Sequence, residues 1–74
     1  MLYNSFGQYL KYRRIEKGLT ESELCHNLDI RLTYYKKVEN DKAQLSFSLF
    51  RKLYKYLELD DITCTILLNR LRRK

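Results

Sequence analysis

Apolar residues along this chain recur every three or four positions, the spacing of helix faces rather than of strands. Phe6, Leu10 and Arg14 share one face over residues 5–17, with Ser5 as a cap and Gly18 as a stop. Thr20 and Glu23 form a capping box, and Leu19 and Leu24 are placed to make a hydrophobic staple. Leu24, Cys25 and Leu28 then make a short apolar stripe over residues 21–28. Asp29 stands where the chain must turn, and Asp is among the few residues that take a positive φ readily. Ile30 is expected to plug the inside of that turn.

A third helix is predicted over residues 32–40, with Tyr35 and Val38 turned inward. Residues 41–45 read as a loop. Ser46 then caps a fourth helix whose inner face is read as Phe47, Phe50, Leu53, Tyr54 and Leu57, with Leu59 closing the core. Asp60 or Asp61 caps a fifth helix over residues 62–72. Ile62, Ile66 and Leu67 form its apolar stripe, and Leu68 and Leu71 lie partly off it. The pattern therefore predicts an all-α fold of four or five helices. Leu24, Leu28, Ile30, Val38, Phe50, Leu53 and Leu57 are expected to be buried together.

Composition supports this reading. The chain has no proline and only two glycines, too few turn residues for a sandwich or barrel. Its 74 residues allow one domain with a modest core. Fifteen Lys and Arg against nine Asp and Glu leave a net charge of +6, which attracts phosphates on nucleic acid or on an anionic membrane. The apolar helix faces are committed to a core, so nucleic acid is favoured over lipid. No run reaches the length of a membrane span. The N-terminal charges follow the apolar stretch, the reverse of a secretory signal.

Cys25 and Cys64 are far apart in sequence, and the only histidine, His26, is adjacent to Cys25 and points another way on a helix. That spacing holds no metal, and no cofactor is expected. Unpaired thiols fit a reducing, cytoplasmic setting. Nothing in the chain pairs a nucleophile with a base or cradles a phosphate in a glycine loop, so an enzyme is not expected.

Two short helices joined across Leu28, Asp29 and Ile30 make a helix-turn-helix, whose second helix projects its first turn into a major groove. That turn offers Arg31, Leu32, Thr33 and Tyr34, followed by Lys36 and Lys37. Arg suits a bidentate contact to guanine, and Leu or Thr packs on a thymine methyl. Tyr34 and Tyr35 cannot both face inward; Tyr35 fits the core, which leaves Tyr34 as the exposed one. Lys36, Lys37 and Lys42 would also serve as a plain solvated face.

The stretches FGQYLKYRR, KGLTESELCHNLDI, YYKKVENDK and SFSLFRKLYKYLEL occur in order. Together they resemble the Xre/Cro-type helix-turn-helix proteins over residues 6–60. The resemblance implies a buried pair, Arg14 with Glu39, a phosphate-contacting Asn40, and base-reading positions on Arg31, Leu32, Thr33 and Lys37, with Tyr34 and Lys36 at the edges. Lys42 follows on the backbone side.

Several positions depart from the family pattern. Cys25 replaces a usual alanine, Asp29 and Asp41 replace glycines, and Leu45 replaces a proline. Glu21 stands where a Gln often meets a phosphate, and it would be repelled there. Residues 1–60 are then the helix-turn-helix domain. Residues 61–74, a helix with a basic tail, are the candidate dimerisation element.

The expected function is a sequence-specific DNA-binding transcriptional regulator of repressor type, from a phage, mobile element or antitoxin system. It would act on double-stranded DNA as a homodimer. The alternative is the same fold used as a protein-binding module, such as a nuclease inhibitor or toxin partner. Tyr3, Tyr12 and Tyr34 would then be interface tyrosines.

Overall fold

Every capping side chain read from the sequence is in place. The computed structural model describes residues 3–72, with side chains described for residues 3–69. Five helices and no strand occur among them: α1 (Phe6–Glu16), α2 (Glu21–Leu28), α3 (Leu32–Glu39), α4 (Phe47–Tyr56) and α5 (Asp61–Arg72). Ser5 accepts from the Gln8 N–H, Thr20 and Glu23 exchange both bonds of the capping box, and Ser46 accepts from the Leu49 N–H. Asp60, not Asp61, caps α5 by accepting from the Thr63 N–H at 2.8 Å. Observed bounds differ from expectation by one residue at the ends of α1, α3 and α5. Among the described residues no helix is long and apolar enough to cross a membrane.

The four connections share one backbone solution. Gly18, Asp29, Asp41 and Glu58 all take positive φ, at 71°, 55°, 59° and 52°. The residue after each donates back five positions: Leu19 to Arg14, Ile30 to Cys25, Lys42 to Lys37 and Leu59 to Tyr54. This is the Schellman ending, which satisfies carbonyls that the helix leaves unpaired. Only one of the four positions is a glycine, so three connections carry left-handed strain on ordinary residues.

The core draws on all five helices. Phe6, Tyr9 and Leu10 of α1 meet Leu24 and Cys25, Tyr35 and Val38, Leu49, Leu53 and Leu57, then Leu59, Cys64 and Leu67. Leu24, Val38, Leu53 and Leu57 are buried as expected, whereas Leu28, Ile30 and Phe50 are only half-buried against this core.

Two helix faces differ from expectation. Phe47 is 74% exposed, and Leu49 takes the inner position instead. The buried row of α4 is Leu49, Leu53 and Leu57, and at ~100° per residue Phe47 lies about 120° from its centre. On α5 the inward residues are Cys64 and Leu67, while Ile62 and Ile66 stand on the opposite side, 70% and 41% exposed. The expected single stripe is thus split between two faces. The side chains of Leu71, which the sequence reading placed partly off the apolar stripe, and of Arg70, Arg72, Arg73 and Lys74, read as the basic tail, lie outside the described residues.

α1 is the hub that holds the rest. It packs on α3 and α5. Arg13 donates to the Leu57 carbonyl at 2.8 and 3.1 Å, which satisfies the last turn of α4. The Tyr9 hydroxyl accepts from the Asp60 N–H at 2.7 Å, and burial raises its pKa. Against α3 the approach is closer still. A Cβ on Gly7 would stand 2.3 Å from the Glu39 carbonyl oxygen and 2.8 Å from the Asp41 Oδ1. Asp41 uses that proximity, accepting from the Gly7 N–H at 3.0 Å.

Two substitutions should therefore move stability in opposite senses. Gly7→Ala improves helix propensity but drives a methyl into backbone oxygens, and should cost about 1–3 kcal/mol. Glu58→Gly removes left-handed strain and should gain about 0.5 kcal/mol after the entropy of glycine is counted. Urea unfolding midpoints at constant m-value measure both. A neutral Gly7→Ala would mean that α1 can back away from α3 at no cost.

Candidate nucleic-acid interface

α3 is positioned from behind by a buried ion pair. Arg14 and Glu39 are 8% and 7% exposed. Arg14 Nε donates to Glu39 Oε2 at 2.7 Å and Nη2 to Oε1 at 3.3 Å, a two-point pair between α1 and α3. Its remaining nitrogen, Nη1, donates to the Leu19 carbonyl at 2.7 Å and so fixes the turn that leads into α2. The hydrogen bond to Glu39 raises the Arg14 pKa further. The pair implied by the family resemblance is formed.

Two more groups share this pocket of charge. Tyr35 is fully buried, with its hydroxyl in the field of Glu39 but in no hydrogen-bonding geometry with a partner. Burial, and after it the Glu39 carboxylate, pushes its pKa well above the usual phenol range. Glu21, at the start of α2, has its carboxyl pKa raised by burial first and by the neighbouring Glu39 carboxylate second. Since the folded value is raised, the folded state holds the proton more tightly. The stability gained from it is full below the ordinary carboxylate value and is lost as pH rises through the folded value. Ionised Glu21 is a cost at neutral pH.

The turn and the helix follow the expected geometry. Asp29 is left-handed and Ile30 is half-buried beneath it. Lys52 of α4 donates to the Leu28 carbonyl at 3.1 Å and steadies the same turn, a contact with no sequence signal of its own. α3 then shows two faces. Tyr35, Val38 and Glu39 are buried. Thr33, Lys36 and Lys37 are exposed and cluster on the opposite side.

Arg31 is exposed, but it is the extended N-cap residue of α3 rather than part of its first turn, and no side chain caps that helix. Asn40 and Lys42 are exposed just beyond the C-terminal end, with the Asn40 amide donating back to the Lys36 carbonyl at 2.9 Å.

Two expected readers are placed differently. Leu32 is half-buried against the core, so only part of it faces outward. Tyr34 is also half-buried, not exposed as the sequence suggested. Its hydroxyl donates to the Gln44 carbonyl at 2.6 Å and accepts from the Ser46 N–H at 3.3 Å. Tyr3 is likewise half-buried, its ring 4.9 Å from Tyr9 and 5.5 Å from Tyr12, which leaves Tyr12 exposed. Gly7, Asp41, Gln44 and Ser46 shape the site without having been read as part of it. A glycine inside a helix was the one available signal, and it marked a close approach.

Residues 10–61 match the helix-turn-helix family. The chain belongs to that family. Among solved structures it is similar to the wild-type restriction-modification controller protein C.Esp1396I, at 25% identity and a TM-score of 0.67, over 92% of this chain and 87% of that one. A tyrosine-to-phenylalanine variant of the same controller protein aligns at 22% identity and a TM-score of 0.67, over 90% of this chain and 86% of that one, and shows the fold alone. A search of curated proteins returns no match.

The ion pair makes a clear stability prediction. Arg14→Met alone should cost about 3–5 kcal/mol, because it strands a buried Glu39 carboxylate. Changing both residues to Met should recover much of that loss. Equal instability of the double and single variants in thermal or urea unfolding would show that the two side chains are energetically independent.

Proposed function

We infer that this chain is a sequence-specific DNA-binding transcriptional regulator that sets the outer face of α3 in the major groove. One observation carries the reading. Thr33, Lys36 and Lys37, with Arg31 leading, form an exposed face on the second helix of a helix-turn-helix whose inner face is locked. Family membership and the likeness to a controller protein support regulation as the role. Base readout falls to Arg31 and Thr33, with part of Leu32, and Lys36 and Lys37 flank them. Asn40 and Lys42 meet the phosphate strand. Glu21 opposes binding, since its carboxylate stands at the end of α2 that approaches the same strand.

The two kinds of contact should separate experimentally. Arg31→Ala should cost about 1–3 kcal/mol at the cognate site and relax preference at one base pair. Lys42→Ala should weaken all sequences alike and reduce the salt slope by about one. Glu21→Gln should tighten binding. Titration of duplex at two salt concentrations reads all three. If Arg31, Lys37 and Glu21 are all indifferent, α3 is not in a groove. The fold would then be a protein-binding module, with exposed Tyr12 and Ile15 on α1 as its natural contact surface.

The regulator acts as a two-fold dimer in this proposal, since one module buries too little DNA surface for tight specific binding. Ile62 and Ile66 on the outer side of α5 supply the apolar contact. A two-fold pairing would set the two recognition helices about 34 Å apart. Removing residues 61–74 would also remove Cys64 and Leu67 from the core, so substitution is the cleaner test. Ile62→Ser with Ile66→Ser should give a folded monomer at micromolar concentration, with weaker operator binding. A wild-type monomer by solution mass would remove this role from α5.

A further inference from the structure

A DNA-binding domain must meet base edges and the phosphate strand at once, with a spacing that the duplex dictates. In this chain the base-facing side is α3 and the backbone-facing side is the segment after it, residues 40–46. The two ends of that segment are tethered by different devices. At one end the Asp41 carboxylate accepts from the Gly7 N–H at 3.0 Å, and the Lys42 N–H donates to the Lys37 carbonyl at 2.8 Å. At the other end the tether is Tyr34. Its hydroxyl reaches ten and twelve residues along the chain, donating to the Gln44 carbonyl at 2.6 Å and accepting from the Ser46 N–H at 3.3 Å. Ser46 in turn caps α4 by accepting from the Leu49 N–H at 3.1 Å. Lys42 is exposed between the two tethers.

We propose that Tyr34 is a positioning residue, which fixes the backbone-facing segment at the right offset from the base-reading face of α3, and does not itself read a base. The proposal rests on the DNA-binding reading above. Its ring is half-buried against the core, and its hydroxyl uses both donor and acceptor capacity on the segment. Swinging into the groove would forfeit that packing and exchange two hydrogen bonds within the chain for bonds to water. Holding the segment in advance also removes an ordering cost that a loose loop would meet on binding.

Tyr34→Phe tests this, because it keeps the ring and removes the hydroxyl. The fold should be retained by circular dichroism, and the Ser46 amide should exchange with solvent about 3- to 10-fold faster. Affinity should fall by about 3- to 10-fold on cognate and random duplex alike, with base preference unchanged. In a Lys42→Ala background the same change should cost less, since the contact it positions is gone.

Relaxed preference at one base pair would make Tyr34 a reader and overturn the proposal. So would faster Ser46 exchange with unchanged affinity on every duplex, or full additivity with Lys42→Ala. A wild-type chain without salt-dependent duplex binding would overturn the DNA-binding reading and this role with it. Normal wild-type binding with an indifferent Tyr34→Phe overturns the positioning role alone.

Discussion

The Arg14 guanidinium governs where everything else in this fold can be. It is a charge taken out of water, and such a charge is tolerable only when its hydrogens are matched. Glu39 takes two of its N–H groups and the Leu19 carbonyl a third. Those partners lie on the last turn of α3 and in the connection before α2. The requirement to satisfy one side chain therefore fixes α1, the entry to α2 and the exit of α3 in a single geometry. An apolar contact would tolerate sliding of α3 along α1; a two-point ion pair does not. The close approach at Gly7 acts in the same direction, since the backbone of α1 and the carbonyls of Val38 and Glu39 are nearly in contact there.

That rigidity makes the strained connections affordable. Asp29, Asp41 and Glu58 each hold a left-handed backbone that glycine would adopt more cheaply. Asp41 offsets its strain locally, because its carboxylate satisfies an N–H in the first turn of α1 that the helix cannot. The Glu58 side chain makes an exposed ion pair with Lys17 at 3.4 Å, which contributes little, and its carbonyl accepts from Arg13 at 3.3 Å. The turn after Asn40 is thus held by a side chain.

How much of this was legible in sequence depends on the range of the interaction. The caps at Ser5, Thr20 and Ser46 act over three residues, and they were read correctly because both partners are in view. The row Leu49, Leu53, Leu57 was confused with Phe47 and Tyr54, since periodicity says that a face exists and not which of two overlapping faces is turned inward. On α5 the error has the same source: Ile62 and Ile66 are the more apolar residues, yet Cys64 and Leu67 take the interior. The pair Arg14 and Glu39 came from family resemblance and from inner-face placement. Tyr34 was assigned outward by elimination against Tyr35. Its partners Gln44 and Ser46 lie across a loop whose path no local rule supplies.

On the DNA-binding reading, the charge pattern divides two properties that are usually conflated. The net charge of +6 attracts any duplex, and phosphate contacts from Lys42 add affinity without regard to sequence. Glu21 subtracts from that same term. It lies beside Glu39, so its ionisation already works against the fold, and a phosphate nearby would work against it again. The folding penalty is common to free and bound protein, whereas the phosphate penalty applies equally on operator and on random DNA. The latter lowers affinity everywhere but leaves intact the ratio set by Arg31 and Thr33 at base edges. A regulator competing with a genome of non-specific sites gains from that arrangement, because occupancy depends on the ratio while time lost elsewhere depends on the common term. The acidic residue that looks least suited to a phosphate strand is therefore consistent with specific recognition, provided the readers on α3 are held rigidly enough to keep their discrimination. The pair beneath them, Arg14 and Glu39, supplies that rigidity.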